Sequence, residues 1–286
     1  MKILLTGANG MLAKSVINVF KNDNELYCTD LKTLDITKKE EVLEKVSKLK
    51  PEYIINCAAY TAVDKAENDY ELAEQVNAIG PANLAIAAKE NDATLIHVST
   101  DYVFDGSLDL SKTYNEADIA NPNTVYGKTK LKGEKEITKN TDKFYIFRTA
   151  WLYGDGNNFV RTMMKLGKTK EMINVVCDQH GSPTNADDLA NIIKQSIDKK
   201  IPYGIYHTTN LGYTTWSEFA KKIFEYANLS CKVNPVTTKE YIEMMKIQQA
   251  PRPYNSKLNK DKILKQVIVI PKWEESLKEY IYSEIN

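Results

Sequence analysis

The stretch KILLTG, residues 2–7, is a short apolar run that ends on a glycine. That is the pattern of a strand buried on both faces of a parallel sheet. Apolar positions then recur at helical spacing from Met11 to Phe20, and the alternation repeats. ELYCTD (25–30) reads as a second strand, KKEEVLEKVSKLK (38–50) as an amphipathic helix stopped by Pro51, and YIINCAA (53–59) as a third, buried strand. Helical periodicity returns from Asp69 to Asn91, with Gly80-Pro81 expected to interrupt it. TLIHVST (94–100) and KFYIFRT (143–149) are further strands, separated by a helix that contains Tyr126. Strands alternating with helices predict an α/β fold, a Rossmann-type doubly wound parallel sheet covered on both faces.

Past residue 150 the rhythm loosens. Helices are predicted at 157–167, 186–198, 215–228 and 272–284, with short strands and loops between them. APRPYNSKL (250–258) carries two prolines and reads as a loop. The expected organisation is a dinucleotide-binding domain over 1–150, to which later segments return, and a smaller lobe over 151–286. The lobe would cover the sheet's carboxyl edge, where open α/β sheets bind ligands. No internal repeat or low-complexity segment breaks the pattern.

Composition narrows the function classes. Basic and acidic residues both number 38, so no global field favours nucleic acid or an anionic membrane. Hydrophobic residues make up 43% and charged residues 27%, an ordinary globular mix with no run long enough to span a bilayer. The start, MKILLTGANG, runs into a turn instead of a cleavage site and reads as a cytosolic beginning. Cys28, Cys57, Cys177 and Cys231 are far apart with no C-x-x-C, which favours neither a disulfide framework nor a zinc site.

Three features carry chemistry. TGANGMLA (6–13) joins the first strand to the first helix, with glycines at 7 and 10 and Ala13 at the third small position. Such a turn lets backbone approach a pyrophosphate at a helix N-terminus. Asp30 ends the second strand about twenty residues further on, where a carboxylate can bond the adenosine ribose. Tyr126 and Lys130 stand four apart on one helix face. An ammonium beside a phenol stabilises the phenolate and lowers the phenol's pKa from its ordinary value of about 10. Ser99 and Thr100, at the end of a buried strand, add hydroxyls that can hold a carbonyl oxygen. Together these describe hydride transfer between a carbonyl and an alcohol.

T-G-x-x-G near the start, followed by Ser/Thr and then Y-x-x-x-K, resembles the extended short-chain dehydrogenase/reductase family. VSTDYVFDG, NTVYGKTKLKGE, FRTAWLYG, DQHGSPT and RPYNSKL, in that order, are similar to its dTDP-4-dehydrorhamnose reductases over essentially the whole chain. The resemblance implies reduction by NADPH or NADH of the C4 keto group of a nucleotide-linked 4-keto-6-deoxyhexose, giving dTDP-L-rhamnose. It makes Tyr126 the general acid and Lys130 the residue that tunes it and holds the nicotinamide ribose. Thr100 would bond the reacting oxygen. Asp101, Tyr102 and Trp151 would lie at the sugar, and Arg252 at the dTDP moiety. Gly7, Asn9, Gly10, Met11 and Leu12 would line the pyrophosphate. Asp30, Asp35 and Ile36 would lie near the adenine end, and Ala58, Ala59, Tyr60 and Thr61 along the cofactor's middle. His180 and His207 are expected to be structural. Related nucleotide-sugar reductases and epimerases share these motifs, and the regulatory beta subunit of methionine adenosyltransferase resembles the family without needing turnover. The implied partner is a small nucleotide sugar, not nucleic acid or membrane, and the implied state a monomer or homodimer.

Some members carry a glutamate early in the first helix that contributes to a metal site between subunits; here that position is Ser15. With one oxygen ligand gone from a site that needs several, no metal is expected to be required. EDTA should therefore leave turnover and oligomeric state unchanged, as followed by cofactor absorbance and by light scattering. A loss on chelation that magnesium restores would contradict this.

Overall fold

The computed structural model describes residues 1–22 and 24–285. Five strands lie where the apolar runs predict them: β1 (Lys2–Thr6), β2 (Glu25–Thr29), β3 (Tyr53–Asn56), β4 (Thr94–Thr100) and β5 (Phe144–Thr149). A sixth, β6 (Gly204–His207), returns from the second half of the chain to pair with β5. All six pair in parallel, in the order β6–β5–β4–β3–β1–β2. The chain steps from β1 to β2 on one side and resumes with β3 on the other. The crevice between the ends of β1 and β3 is therefore the topological switch point, where such sheets bind ligands.

Side-chain alternation along β1 shows how both faces are covered. Ile3 and Leu5 pack with Leu12, Val16 and Phe20 of α1 (Met11–Phe20) and with Leu189 and Ile193 of α5 (Ala186–Asp198). Leu4 points the other way, to Val42 and Val46 of α2 (Lys39–Leu49), Leu84 of α3 (Gly80–Glu90) and Ile137 of α4 (Val125–Asn140). Each such buried aliphatic side chain contributes about 1.5–3 kcal/mol relative to exposure.

Gly80-Pro81 does not interrupt its helix as expected. Tyr70–Glu74 is α-helical, Gln75–Ile79 forms a π-helical turn, and α3 follows directly. Pro81, which has no N–H, sits in the first turn of α3 just after the widened turn. Gly80 answers a packing need: a Cβ there would stand 2.5 Å from Cδ1 of Ile36.

The π turn seats α4. Asn77 in that turn accepts from the Tyr60 N–H at 2.9 Å and donates to the Tyr60 carbonyl at 3.0 Å and to Oγ1 of Thr129 at 3.2 Å. Gly133 of α4 lies so close that a Cβ would be 2.1 Å from the Asn77 carbonyl oxygen. Next to it, Glu134 receives Nη2 of Arg148 at 2.7 Å and Nε at 3.0 Å, with both partners buried. The glycine contact holds α4 to the π turn, and the ion pair holds it to β5.

The remaining segments build the lobe. Met172–Val176 and Lys232–Val236 pair in parallel, and the helices Phe159–Gly167, Trp216–Tyr226 and Trp273–Ile285 enclose Phe219, Ile223 and Leu277. A short helix with a capping box, Thr238–Met245, was not among the predicted elements. All four cysteines are free. Among the described residues no helix is long and apolar enough to cross a membrane.

Gly133→Ala should be costly, because its methyl meets backbone oxygen and cannot be accommodated by a rotamer change. We expect a loss of about 1–3 kcal/mol in urea unfolding. Unchanged stability would show that the π turn yields freely.

Candidate active site

The carboxyl ends of β1, β3, β4 and β5 open into a cleft of about 770 Å³. At its first end lies the glycine turn. Gly7 has φ +70°, and a Cβ on it would stand 2.6 Å from the Ala58 nitrogen. Only glycine lets the turn after β1 press against the loop after β3. Gly10 caps α1 without any side-chain bond, its own N–H donating to Gly7 O at 2.9 Å. Met11 and Leu12 follow at the cleft wall. N–H groups of a helix's first turn have no partner within the helix, so this end suits a dinucleotide's pyrophosphate.

The other expected cofactor residues divide. Ala58, Ala59 and Thr61 line the cleft with Gly10. Asn9 donates to Oδ2 of Asp30 at 2.9 Å, and Oδ1 accepts from the Thr33 hydroxyl at 2.9 Å and from two backbone N–H groups. These bonds, the Thr33 hydroxyl first, hold the Asp30 carboxyl below its ordinary value. Asp35 is engaged in a local turn with Thr37, and Ile36 is buried in the core beside Gly80. Tyr60 is clamped by Asn77 and reaches out to Asp69. Asp35, Ile36 and Tyr60 are thus turned to local structure, outside the cleft wall.

Further in, α4 begins at Thr124, whose side chain accepts from the Gly127 N–H at 3.0 Å. Gly127 lies against the Tyr102 carbonyl, where a Cβ would be 2.2 Å away. This contact sets Tyr126 beside Thr100 and Lys130 over β4. Burial pushes the Tyr126 phenol up to about 12, a hydrogen bond with Thr100 lowers it, and Asp101 raises it. The expected lowering by Lys130 is not found: burial, Thr100 and Asp101 act on the phenol, and the amine is engaged elsewhere. Nζ of Lys130 donates to Val98 O at 2.7 Å and lies 3.2 Å from Nε2 of His97. Burial brings Lys130 down to about 8.

Thr100 donates to Oδ1 of Asp101 at 2.9 Å, and Ser256 donates to Oδ2 at 2.5 Å. Burial nevertheless raises the Asp101 carboxyl to about 6. The Ser99 hydroxyl is buried with no protein partner. Tyr102 meets Tyr126 edge-on, ring centroids 5.5 Å apart. At the far end Trp151, at φ 49°, stacks on Trp216 at 3.8 Å. Arg252 holds both oxygens of Asp64 at 2.8 Å through Nη2. His207 is buried against Phe104, and neither it nor His180 lines the cleft.

Sequence reasoning missed His97, Asn56, Asn77, Trp216 and Ser256. For the first two a signal was present, a polar residue inside an otherwise apolar buried strand. For Ser256 there was none, since it lies 155 residues from Asp101. Among the described residues no group of His, Cys, Asp and Glu is arranged to hold a metal ion, and Ser15 is buried in α1.

The whole chain, cleft included, has close relatives. A family model described as "RmlD substrate binding domain" matches residues 1–285. The dTDP-4-dehydrorhamnose reductase of Aggregatibacter actinomycetemcomitans is 39% identical over 293 residues, covering 97% of each chain. The chain belongs to the dTDP-4-dehydrorhamnose reductase family. Its Rossmann-type architecture is also that of solved family structures. The reductase from Clostridium acetobutylicum is 45% identical with a TM-score of 0.94 over the full length of both chains. The one from Bacillus anthracis, solved in complex with NADP, is 41% identical with a TM-score of 0.93 over 99% of each.

Asp30 generates a test of cofactor choice. A carboxylate bonded to the adenosine ribose, the role expected of Asp30, would repel a ribose phosphate, whereas Lys32 nearby could attract one. Both cofactors should therefore work, with NADH favoured by no more than about tenfold. Asp30→Ala should move the kcat/KM ratio toward NADPH. A ratio that stays put would show that selection lies elsewhere.

Proposed function

We propose that the protein is an NADPH- or NADH-dependent oxidoreductase that reduces the C4 keto group of dTDP-4-dehydro-L-rhamnose to dTDP-L-rhamnose, a polysaccharide precursor. The reading rests above all on one juxtaposition. A buried phenol, bonded to Thr100, shares a cleft with the pyrophosphate cradle that Gly7 permits. It extends to a cytoplasmic location and a monomer or homodimer.

In this reading Gly7 to Leu12 hold the pyrophosphate, Asp30 the adenosine ribose, and Ala58 to Thr61 the cofactor's middle. Asp35 and Ile36 shape the adenine end through their loop. Lys130 holds the nicotinamide ribose. Bound NADPH or NADH supplies the hydride for the carbonyl carbon. Tyr126 gives its proton to the C4 oxygen, which Thr100 also bonds. Burial keeps Tyr126 protonated at neutral pH, the state a donor needs. A charged Lys130 stabilises the phenolate left behind. Asp101 and Tyr102 meet the sugar hydroxyls and Trp151 its ring. Arg252, already committed to a carboxylate, turns to the diphosphate. The segments after residue 150 that do not return to the sheet form the nucleotide-sugar side.

Incubation with dTDP-4-dehydrorhamnose and reduced cofactor, with the product identified by NMR, tests the reading directly. One cofactor should be consumed per product, which an epimerase would not do. A regulatory binding protein would bind cofactor without turnover. Tyr126→Phe keeps the ring and removes the proton, so turnover should fall at least about a hundredfold. Cofactor affinity, measured by fluorescence titration, should barely change. Near-normal turnover in that variant would remove Tyr126 from the reaction.

A further inference from the structure

From the cleft wall, where Asn56 and Lys130 stand, a chain of buried polar side chains runs inward. Thr6 donates to Oδ1 of Asn56 at 2.6 Å, and the Ala58 N–H donates to the same oxygen at 3.1 Å. Two donors on that atom fix the amide's orientation. The Asn56 nitrogen, which can only donate, therefore faces Nδ1 of His97 at 3.0 Å. Nδ1 must accept, and the hydrogen of the neutral ring stands on Nε2. Nε2 is 3.2 Å from Nζ of Lys130. An ammonium cannot accept that hydrogen. An uncharged amine can, while giving one of its own hydrogens to Val98 O at 2.7 Å. Below its titration the charged Lys130 requires Asn56 to turn over and lose the Ala58 bond, a cost that favours the uncharged amine.

We propose that His97 is a positioning residue for this reaction: held by Asn56 with its hydrogen on Nε2, it presents a donor to Lys130 and so sets whether that amine carries a proton. Other titratable groups face Lys130 as well. Glu134, one turn along α4, favours its charge but is neutralised by Arg148 of β5. Cys57, after β3, is pushed up to about 12 by burial and is uncharged at neutral pH. Tyr126, on the same helix, keeps its proton. His97 is itself held neutral by burial and then by Lys130. With burial already favouring the uncharged amine, the neighbour left to bias it is the imidazole, whose tautomer Thr6 and Asn56 of two neighbouring strands fix.

The consequence for pH rests on the role given to Lys130 above. The amine is charged below its pKa near 8 and uncharged above it. Activity that needs the charge is present at neutral pH and lost as pH rises, so kcat/KM should show an alkaline limb near that value.

Nitrogen-15 NMR of the free protein tests the inference without substrate. Of the three histidines, His97 is identified by its absence in His97→Gln. Above the Lys130 titration, where the amine is uncharged, its Nδ1 should show the shift of a bare nitrogen and its Nε2 that of a protonated one; the reverse tautomer there overturns the proposal. Asn56→Asp places a carboxylate against Nδ1, draws the hydrogen there and turns Nε2 into an acceptor. The Lys130 titration, read from its ε-carbon in lysine-labelled protein, should then move up by about one pH unit or more. The alkaline limb should follow by the same amount. An unmoved Lys130 in folded Asn56→Asp defeats the idea. If that variant does not fold, His97→Gln, whose amide can turn its oxygen to Nζ, must raise Lys130 likewise, and no rise overturns the proposal. Failure of these measurements leaves the reductase reading intact, whereas absent turnover in the wild type defeats that reading and leaves the tautomer standing.

Discussion

The close seating of one helix governs the rest of the molecule. A phenol and an amine four residues apart are useful only if their helix lies within touching distance of the sheet's edge. Two glycines permit this: Gly127 against the carbonyl of Tyr102, and Gly133 against the carbonyl of Asn77. Neither contact leaves room for a Cβ. The Glu134–Arg148 pair then ties the same helix to β5 from within. Removing one partner of such a pair leaves an unmatched buried charge at a cost of about 3–5 kcal/mol. The pair serves placement of the helix more than net stability. The wide turn over Gln75–Ile79 belongs to the same arrangement, since Asn77 bonds the loop after β3 and the helix at once.

Desolvation follows from that seating. Once the helix is pressed down, Tyr126, Lys130, His97 and Asp101 are all out of water, and burial is the largest influence on each. It moves the acids up and the bases down, so at neutral pH Tyr126 and His97 are uncharged, while Asp101 at about 6 and Lys130 at about 8 still carry opposite charges. Cofactor and substrate would thus meet one buried carboxylate, one buried ammonium and hydrogen bonds already in place. Such preorganised groups act strongly where water is excluded.

Most of the frame was legible in the chain. Buried strands of a parallel sheet must be apolar along their length, and β1, β3, β4 and β5 announced themselves in that way. The glycine turn was legible because only glycine can occupy Gly7, and Tyr126 and Lys130 because helical spacing is local. What escaped depends on topology. β3 and β4 are neighbours in space, so Asn56 meets His97 across 41 positions of sequence and His97 meets Lys130 across 33. No local pattern records such a meeting. The π turn was hidden behind a Gly-Pro pair that ordinarily signals a break. β6 was obscured because its turn signals fall in the looser second half. The assumed lowering of Tyr126 failed for a related reason, since spacing shows that two side chains share a face but not how much water surrounds them.

The stacked pair at the far end of the cleft has an optical consequence. The chain holds three tryptophans, and two of them, Trp151 and Trp216, lie face to face at 3.8 Å with planes inclined by 16°. Indoles so close share their excitation, and the coupled pair gives a signal distinct from that of Trp273. Both rings border the cleft, and Trp151 is fixed there by its left-handed backbone and by Gly181 at its edge. A ligand that touches either ring alters the emission and near-ultraviolet dichroism of both. The wall of the cleft is thus its own spectroscopic probe of occupancy, with no label attached.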